Sequence, residues 1–203
     1  MKSLPSRFFL RLLFLLSGIT ILGFVGALFI LSGLGGDSVT IFNQGVSRTF
    51  GIDVGLAIFL FNFVLFLVLI FVNRKKIGLG TFVMAFAIGP LTSLFLQIPF
   101  PFSGFWWQLT QSVVGTVIGG FALGLYVYAD VGLSAVEGLM MYVHDHFHIP
   151  LRFIKMAVDA VLIAIGYLLG GVVGVGTIIA LILMGPIFDF FLQFLKRRLG
   201  PHL

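Results

Sequence analysis

The sequence predicts an all-α, polytopic membrane protein of about six transmembrane helices, arranged as two inverted three-helix repeats within a single membrane domain over residues 1–203. Three observations lead there. The composition is 60% hydrophobic and only 9% charged, with a mean hydropathy of +1.19, more apolar surface than a soluble domain of this length can hide. The basic residues sit in short clusters at the ends of apolar runs. Two glycine-containing motifs recur in the two halves of the chain at one fixed offset.

A spanning helix needs about 20 apolar residues to cover about 30 Å of hydrocarbon at roughly 1.5 Å per residue. Six stretches qualify: Phe9–Leu31, Val54–Val72, Gly80–Leu96, Trp106–Tyr128, Phe153–Leu169 and Thr177–Leu195. Backbone breakers punctuate the joints, with Gly33, Gly35 and Gly36 after the first run, Pro99, Pro101 and Gly104 before the fourth, and Gly170, Gly171, Gly174 and Gly176 between the last two. Repeat one covers approximately 8–98, repeat two approximately 105–195, and 196–203 reads as a basic cytoplasmic tail.

With the N-terminus inside, these crossings place Lys2, Arg7, Arg11, Arg74, Lys75, Lys76, Arg152, Lys155, Lys196, Arg197 and Arg198 in the cytoplasm and leave only Arg48 outside. The positive-inside bias therefore predicts that both termini are cytoplasmic, with Trp106 and Trp107 in an outer aromatic belt. The first run exceeds a signal-peptide core and lacks a small-residue cleavage pattern, so it is expected to be retained. The formal charge of +5 and pI near 9.9 do not indicate nucleic acid, because the basic residues form topology clusters and not one basic face. With no cysteine, disulfides, thiolate metal sites and a cysteine nucleophile are excluded.

The repeat is visible in Gly78-Leu-Gly-Thr81 against Gly174-Val-Gly-Thr177 and in Ile88-Gly89-Pro90 against Met184-Gly185-Pro186. Upstream, at an offset one residue longer, Leu34-Gly35 matches Val131-Gly132, Phe50 matches Phe147 and Ile52 matches Ile149. An odd number of spans in each half makes consecutive halves enter from opposite sides, which is the inverted arrangement frequent among transporters.

The segment Val131-Gly-Leu-Ser-Ala-Val-Glu-Gly-Leu-Met140, then Arg152, Gly166-Tyr-Leu-Leu-Gly-Gly-Val-Val-Gly-Val-Gly-Thr177 and Gly185-Pro186, resembles the YczE/YyaS bacterial membrane proteins, relatives of the YitT group. The likeness covers nearly the whole chain. Where the family carries a Gly-Pro-Arg-Asp-Gly-Leu-Met box, this chain has Ala135, Val136 and Glu137 in place of Pro, Arg and Asp, and Ser38-Val39-Thr40 stands where a Ser-Pro-Trp-Asp element is usual. The resemblance implies architecture and a location in the bacterial cell membrane; it carries no activity.

Polar side chains in hydrocarbon are costly, roughly 2.5–3.5 kcal/mol for an Asp at a helix centre, so each asks for a reason. Asp159 lies near the middle of the fifth run and its repeat mate is Asn62; Glu137 matches Thr40, and Asp189 matches Ser93. The segments Ser38–Phe50 and Ala135–His148 are too short and polar to span and read as either re-entrant or interfacial half-helices. In the re-entrant case Asp37, Thr40, Asn43 and Gln44, with Glu137, line a site; in the interfacial case Met140, Met141 and Phe147 rest on lipid. The candidate substrate-binding set is Asn62, Asp159, Glu137, Thr40, Asn43 and Asp37. Against a functional Asp159 stands simple pairing with Lys155 one helical turn away.

His144, Asp145, His146 and His148 invite a metal reading, but no Glu follows the first His as a zinc-peptidase signature requires, and a solvated loop is the plainer expectation. The Gly-x-Gly-Thr turns lack a Walker lysine and a preceding strand, so they are packing turns. Gly115, Gly119, Gly120, Gly124, Gly166 and Gly170 form small faces for helix packing. No metal, cofactor or enzyme chemistry is expected, for want of a nucleophile beside a base, a metal set or a cofactor fingerprint. The leading expectation is a small-solute transporter or exporter with a midplane site near Asn62 and Asp159, proton-coupled through Asp159. The alternatives are a non-transporting scaffold or regulatory subunit using the glycine faces and segment 130–150, and the substrate-capturing subunit of an importer. The expected partners are the lipid bilayer, a small-molecule or ion substrate, and a second copy or a membrane partner protein.

Overall fold

In the computed structural model, residues 4–74, 77–99 and 104–200 are described, the side chains from residue 8 onward; Lys2, Lys75, Lys76, Pro101 and the side chain of Arg7 lie outside the described residues. Among the described residues the chain is all helical: α1 (Leu4–Ser32), α2 (Ser38–Phe50), α3 (Val54–Val72), α4 (Leu79–Leu96), α5 (Phe105–Tyr128), α6 (Ala135–Phe147), α7 (Leu151–Leu168) and α8 (Val175–Leu199). Five of them, α1, α3, α4, α5 and α8, are long and apolar enough to cross a membrane. Helix α7 has the same 18 residues as α4 but carries Arg152, Lys155 and Asp159 and falls outside that group. Bulky apolar side chains such as Phe71, Trp106 and Leu168 point outward, as a lipid-facing surface requires.

Helices α1 and α5 form the central pair. Their close approach depends on small residues: a Cβ on Gly18 would stand 3.0 Å from the Ala122 carbonyl oxygen, and one on Gly115 would stand 3.1 Å from the Phe29 ring. Leu15, Ile19, Ala27 and Phe29 of α1 and Ala122 and Tyr126 of α5 are essentially inaccessible. Helix α4 packs on α1 and α3, and α8 packs on α5.

The Gly-x-Gly-Thr turns open α4 and α8 in the same way. Thr81 Oγ1 accepts from Gly78 N at 3.1 Å, and Thr177 Oγ1 accepts from Gly174 N at 3.2 Å, each satisfying one of the orphan donors at a helix start. Gly80 N then donates to Val131 O at 2.8 Å, and Gly176 N to Leu34 O at 2.9 Å. The segment after α5 is thereby tied to the start of α4, and the segment after α1 to the start of α8.

The short helices are where the structure departs from a surface-lying reading. Helix α2 is buried at Ser38, Ile41, Asn43, Gln44 and Gly45 and packs on α7 and α3. It descends from the end of α7, where Arg48 and Thr49 donate to Gly170 O and Leu169 O, to the middle of α7, where Ser38 meets Asp159. Protein covers its first two turns, the condition under which a non-spanning helix is tolerated at membrane depth, while Arg48, Thr49 and Phe50 at its end are exposed. Helix α6 packs more loosely on α3 and α7, and Phe147 at its end stays exposed. His144, Asp145 and His146 belong to its last turn and not to a loop; His148 closes the helix in the left-handed conformation. Lys196, Arg197 and Arg198 likewise extend α8 and are not a free tail, a position where cations oppose the negative end of the helix dipole.

Candidate functional site

A cavity of about 520 Å³ lies between the central helix pair, the two short helices and α3, α4, α7 and α8. It brings together all six side chains singled out from the sequence: Asp37, Thr40, Asn43, Asn62, Glu137 and Asp159. Gln44 does not line it; its Oε1 instead accepts from Val172 N at 2.9 Å and locks α2 to the turn after α7.

The polar face is built at the N-terminal end of α2. Asp159 accepts a 2.6 Å hydrogen bond from Ser38 Oγ, and Lys155 Nζ stands 2.9 Å from both of its carboxylate oxygens. Asp37 accepts from Thr40 Oγ1, lies within electrostatic reach of Asp159 and Lys155, and among the described residues has no cation at ion-pair distance. Asn43 is wholly buried; its Nδ2 donates to Val39 O at 2.8 Å while Oδ1 has no hydrogen-bond partner among the described residues. Asn62, also buried, uses Nδ2 on Ile58 O. Glu137 faces the cavity from the first turn of α6, where its Oε2 accepts from Ser134 N and its own N–H donates to Ser134 Oγ, a reciprocal cap.

In the sequence Lys155 reads as a cytoplasmic-side cation and a helical neighbour of Asp159, and Ser38 reads as the start of a short polar segment; the structure brings both to the Asp159 carboxylate. The i, i+4 spacing was a sufficient signal for the first. Nothing local could pair Ser38 with a residue 121 positions away.

The remaining walls are mostly apolar, with Thr92 and Tyr126 adding hydroxyl-bearing side chains, and four of the six methionines, Met84, Met140, Met156 and Met184, are among them. Their unbranched, polarizable chains make a wall that can reshape around differing contents. The cavity is not closed. Met156 on α7 and Leu181 on α8 both line it and are 64% and 47% exposed, marking a mouth between these helices. Among the described residues no group of three or more His, Cys, Asp or Glu could hold a metal ion. His144 Nδ1 is engaged with Ile149 O, and His146 stacks on Tyr142, both away from the cavity.

The glycines of the predicted packing faces sort by position. Gly115 meets Phe29 of α1, and Gly119, Gly120 and Gly124 meet Met184, Ile187 and Phe191 of α8. Gly166 lies against the Ile41 and Phe42 backbone of α2. Gly170 is not at a helix contact: it has φ +89 in the turn after α7, and a Cβ there would meet only Arg48 Cδ at 3.9 Å, so it is a conformational requirement.

The fold and its apolar outer surface define a multi-pass helical membrane protein with an acid-bearing cavity between its helices. The chain belongs to a family of unknown function, DUF6198, whose model matches residues 9–193. An uncharacterized protein of Haemophilus influenzae is similar to it, at 29% identity over 189 residues, covering 93% of this chain and 85% of the relative. The uncharacterized protein YyaS of Bacillus subtilis is 24% identical over 184 residues, covering 89% of this chain and 92% of the relative. The uncharacterized membrane protein YczE of the same organism matches over 77 residues at 29% identity, 38% of this chain and 36% of the relative. No solved structure matches.

Proposed function

We propose that the chain is a small-solute transporter of the bacterial inner membrane in which two inverted three-helix repeats, six crossings with α7 as the sixth, alternate around the central cavity. The observation that carries this reading is the unequal packing of two equivalent seams. Helix α3 packs along α4, with a Cβ on Gly89 only 2.3 Å from Gly55 O, and Phe59, Phe63, Phe66, Phe82 and Phe86 interlock across the seam. Helix α7 lies apart from α8, and Gly185, the repeat mate of Gly89, faces open space. One seam closed and its counterpart open is what a carrier needs and a static scaffold does not.

The paired contacts of Gly80 with Val131 and of Gly176 with Leu34 support the inverted relation, since each joins repeat-matched positions across the halves. So does the crossing of the short helices, α2 on α7 and α6 on α3. The mates of the α3–α4 phenylalanines on α7 and α8 are Met156, Ala160, Ile163, Ile178 and Ile182, so the open seam lacks the aromatic interlock and costs less to separate. Tyr128 donating to Gly200 O sets the ends of α5 and α8 together, the end that also carries Lys196 to Arg198, while Arg48 lies at the far end of α7; this supports cytoplasmic termini. The glycine faces proposed for a partner protein are occupied within the chain, which weakens the scaffold reading. No catalytic step is assigned to the cavity.

The absence of native cysteine allows a direct test. Met156→Cys with Gly185→Cys, the equivalents of Phe59 and Gly89, is oxidised in native membranes beside a control pair, Phe63→Cys with Phe86→Cys, whose native rings stand 5.8 Å apart. Both pairs are expected to cross-link. Cross-linking of the control alone means that α7 never closes on α8 and overturns the alternating model.

A further inference from the structure

We propose that the cavity binds a monovalent organic cation, a protonated amine carrying an apolar body, and that Lys155 is the internal ammonium such a ligand displaces. The inference rests on the reading above that the cavity is a solute site, and it names the solute class.

Charge counting comes first. Asp37, Glu137 and Asp159 bring three carboxylates to the cavity and Lys155 brings one cation. The N-termini of α2 and α6 face it as well, each worth about half a positive charge. With every group ionised, about one negative charge is left without a partner. The unsatisfied hydrogen-bonding capacity has the same sense: the acceptor Oδ1 of the completely buried Asn43 meets no donor among the described residues. A ligand that supplies both one positive charge and N–H donors answers both deficits.

An anion is disfavoured even though two helix N-termini point inward. Those termini are already neutralised by the chain's own acids, Asp37 and Asp159 at α2 and Glu137 in the α6 cap. A bare metal ion fits poorly, because the carboxylates gather at one side and about half of the lining is aliphatic, methionine or phenylalanine side chains that supply no oxygen ligands to close a coordination shell. The apolar, methionine-rich walls suit the hydrocarbon part of an amine and tolerate variation in its shape.

Lys155 shows how the ammonium would be held. Its Nζ makes two 2.9 Å contacts to Asp159, yet its side chain is 61% exposed, so it can swing out when another cation arrives. A ligand ammonium between Asp37 and Asp159 then meets both carboxylates, with Asn43 as a third acceptor.

The test is thermal unfolding of the purified full chain in detergent with 2-phenylethylamine, tryptamine and hexylamine, against 2-phenylethanol and phenylacetate as neutral and anionic counterparts. Binding only to the folded state raises its melting temperature, by about 5–10 °C near a hundredfold excess over Kd. The amines are expected to produce this rise and the alcohol and acid are not. Asp37→Asn is expected to weaken amine binding about thirtyfold or more, as when one member of a buried charge pair is removed. Lys155→Met, which leaves both carboxylates in place, is expected to strengthen it by removing the internal competitor, and serves if Asp37→Asn does not fold. An equal or larger rise with phenylacetate or 2-phenylethanol overturns the cation assignment and leaves the transport reading standing. No rise with any of the amines, or unchanged amine binding in Lys155→Met, also overturns it. Failure of the cysteine pair to cross-link, by contrast, overturns the transport reading whatever the amines do.

Discussion

Ser38 at the N-terminus of α2 donates a 2.6 Å hydrogen bond to Asp159 in the middle of α7, joining residues 121 positions apart. This one bond sets the start of α2 against a charged residue halfway along α7.

Removing the Ser38 hydroxyl is therefore expected to cost more than removing Lys155. Ser38 is buried and bonds a charged acceptor, worth about 1.5–3 kcal/mol, whereas the Lys155 pair is largely solvent-screened and worth under about 1 kcal/mol. Reversible unfolding of Ser38→Ala and Lys155→Ala in mixed micelles compares them. A larger loss for Lys155→Ala means that the ion pair, not the interhelical bond, holds Asp159.

Gly166→Ala is expected to lower stability by about 1–3 kcal/mol, because the new Cβ falls 2.7 Å from Phe42 Cα, a backbone atom that cannot step aside. Gly124→Ala, whose Cβ meets Phe191 Cβ at 3.3 Å, is expected to cost less than half as much. Melting temperatures of the two variants, with membrane abundance as a second readout, rank them.

The two Gly-Pro motifs are expected to respond differently to the same change. Gly89→Ala drives a Cβ into Gly55 O and destabilises by about 1–3 kcal/mol, while Gly185→Ala stays within about 0.5 kcal/mol of wild type. Equal losses would mean that α7 closes on α8 in the dominant state. Gly185→Leu is expected to leave stability unchanged and to abolish cross-linking between α7 and α8 residues on either side of it.

Asp53 caps α3, accepting from Gly55 N and Leu56 N, and Ser93 of α4 donates to the same carboxylate. The Ser93 hydroxyl, followed by the backbone N–H groups, holds its pKa below the ordinary 3.8. A depressed folded-state pKa means a stabilisation fully present above 3.8 and lost as pH falls through the lower, folded value. Asp53→Ala is expected to cost about 1 kcal/mol at neutral pH, and its deficit relative to wild type should shrink toward zero in strong acid. Melting curves of the two proteins from pH 7 down to about pH 2 check the sign; a deficit that grows with acidification contradicts it.

Much of the architecture was legible because hydrophobic runs and glycine motifs are local signals. The run Val54–Val72 coincides with α3, and the others differ from their helices by a few residues at the ends, where capping and not hydropathy decides. Helix α8 ran on past Leu195 because Lys196, Arg197 and Arg198 are good helix formers that suit a C-terminus. Asn62 and Asp159 were legible for a related reason, since a polar group in an apolar run stands out wherever it points, and Asp37, Thr40, Asn43 and Glu137 stood out because short polar segments interrupt the apolar pattern.

What the sequence by itself determined is the membrane character of the chain, its helix inventory, its doubled motifs and the polar positions that demand an explanation, because the bilayer penalises each unsatisfied polar group one residue at a time. Only the tertiary structure decided that α2 is packed against α7, that Lys155 and Ser38 divide Asp159 between them while Asp37 has no cation at ion-pair distance among the described residues, and that Gly89 is sealed where Gly185 is open. Those are relations between helices far apart in the chain. They depend on packing and on which of two equivalent seams is closed, and closely matched sequence motifs cannot say which of the pair that will be.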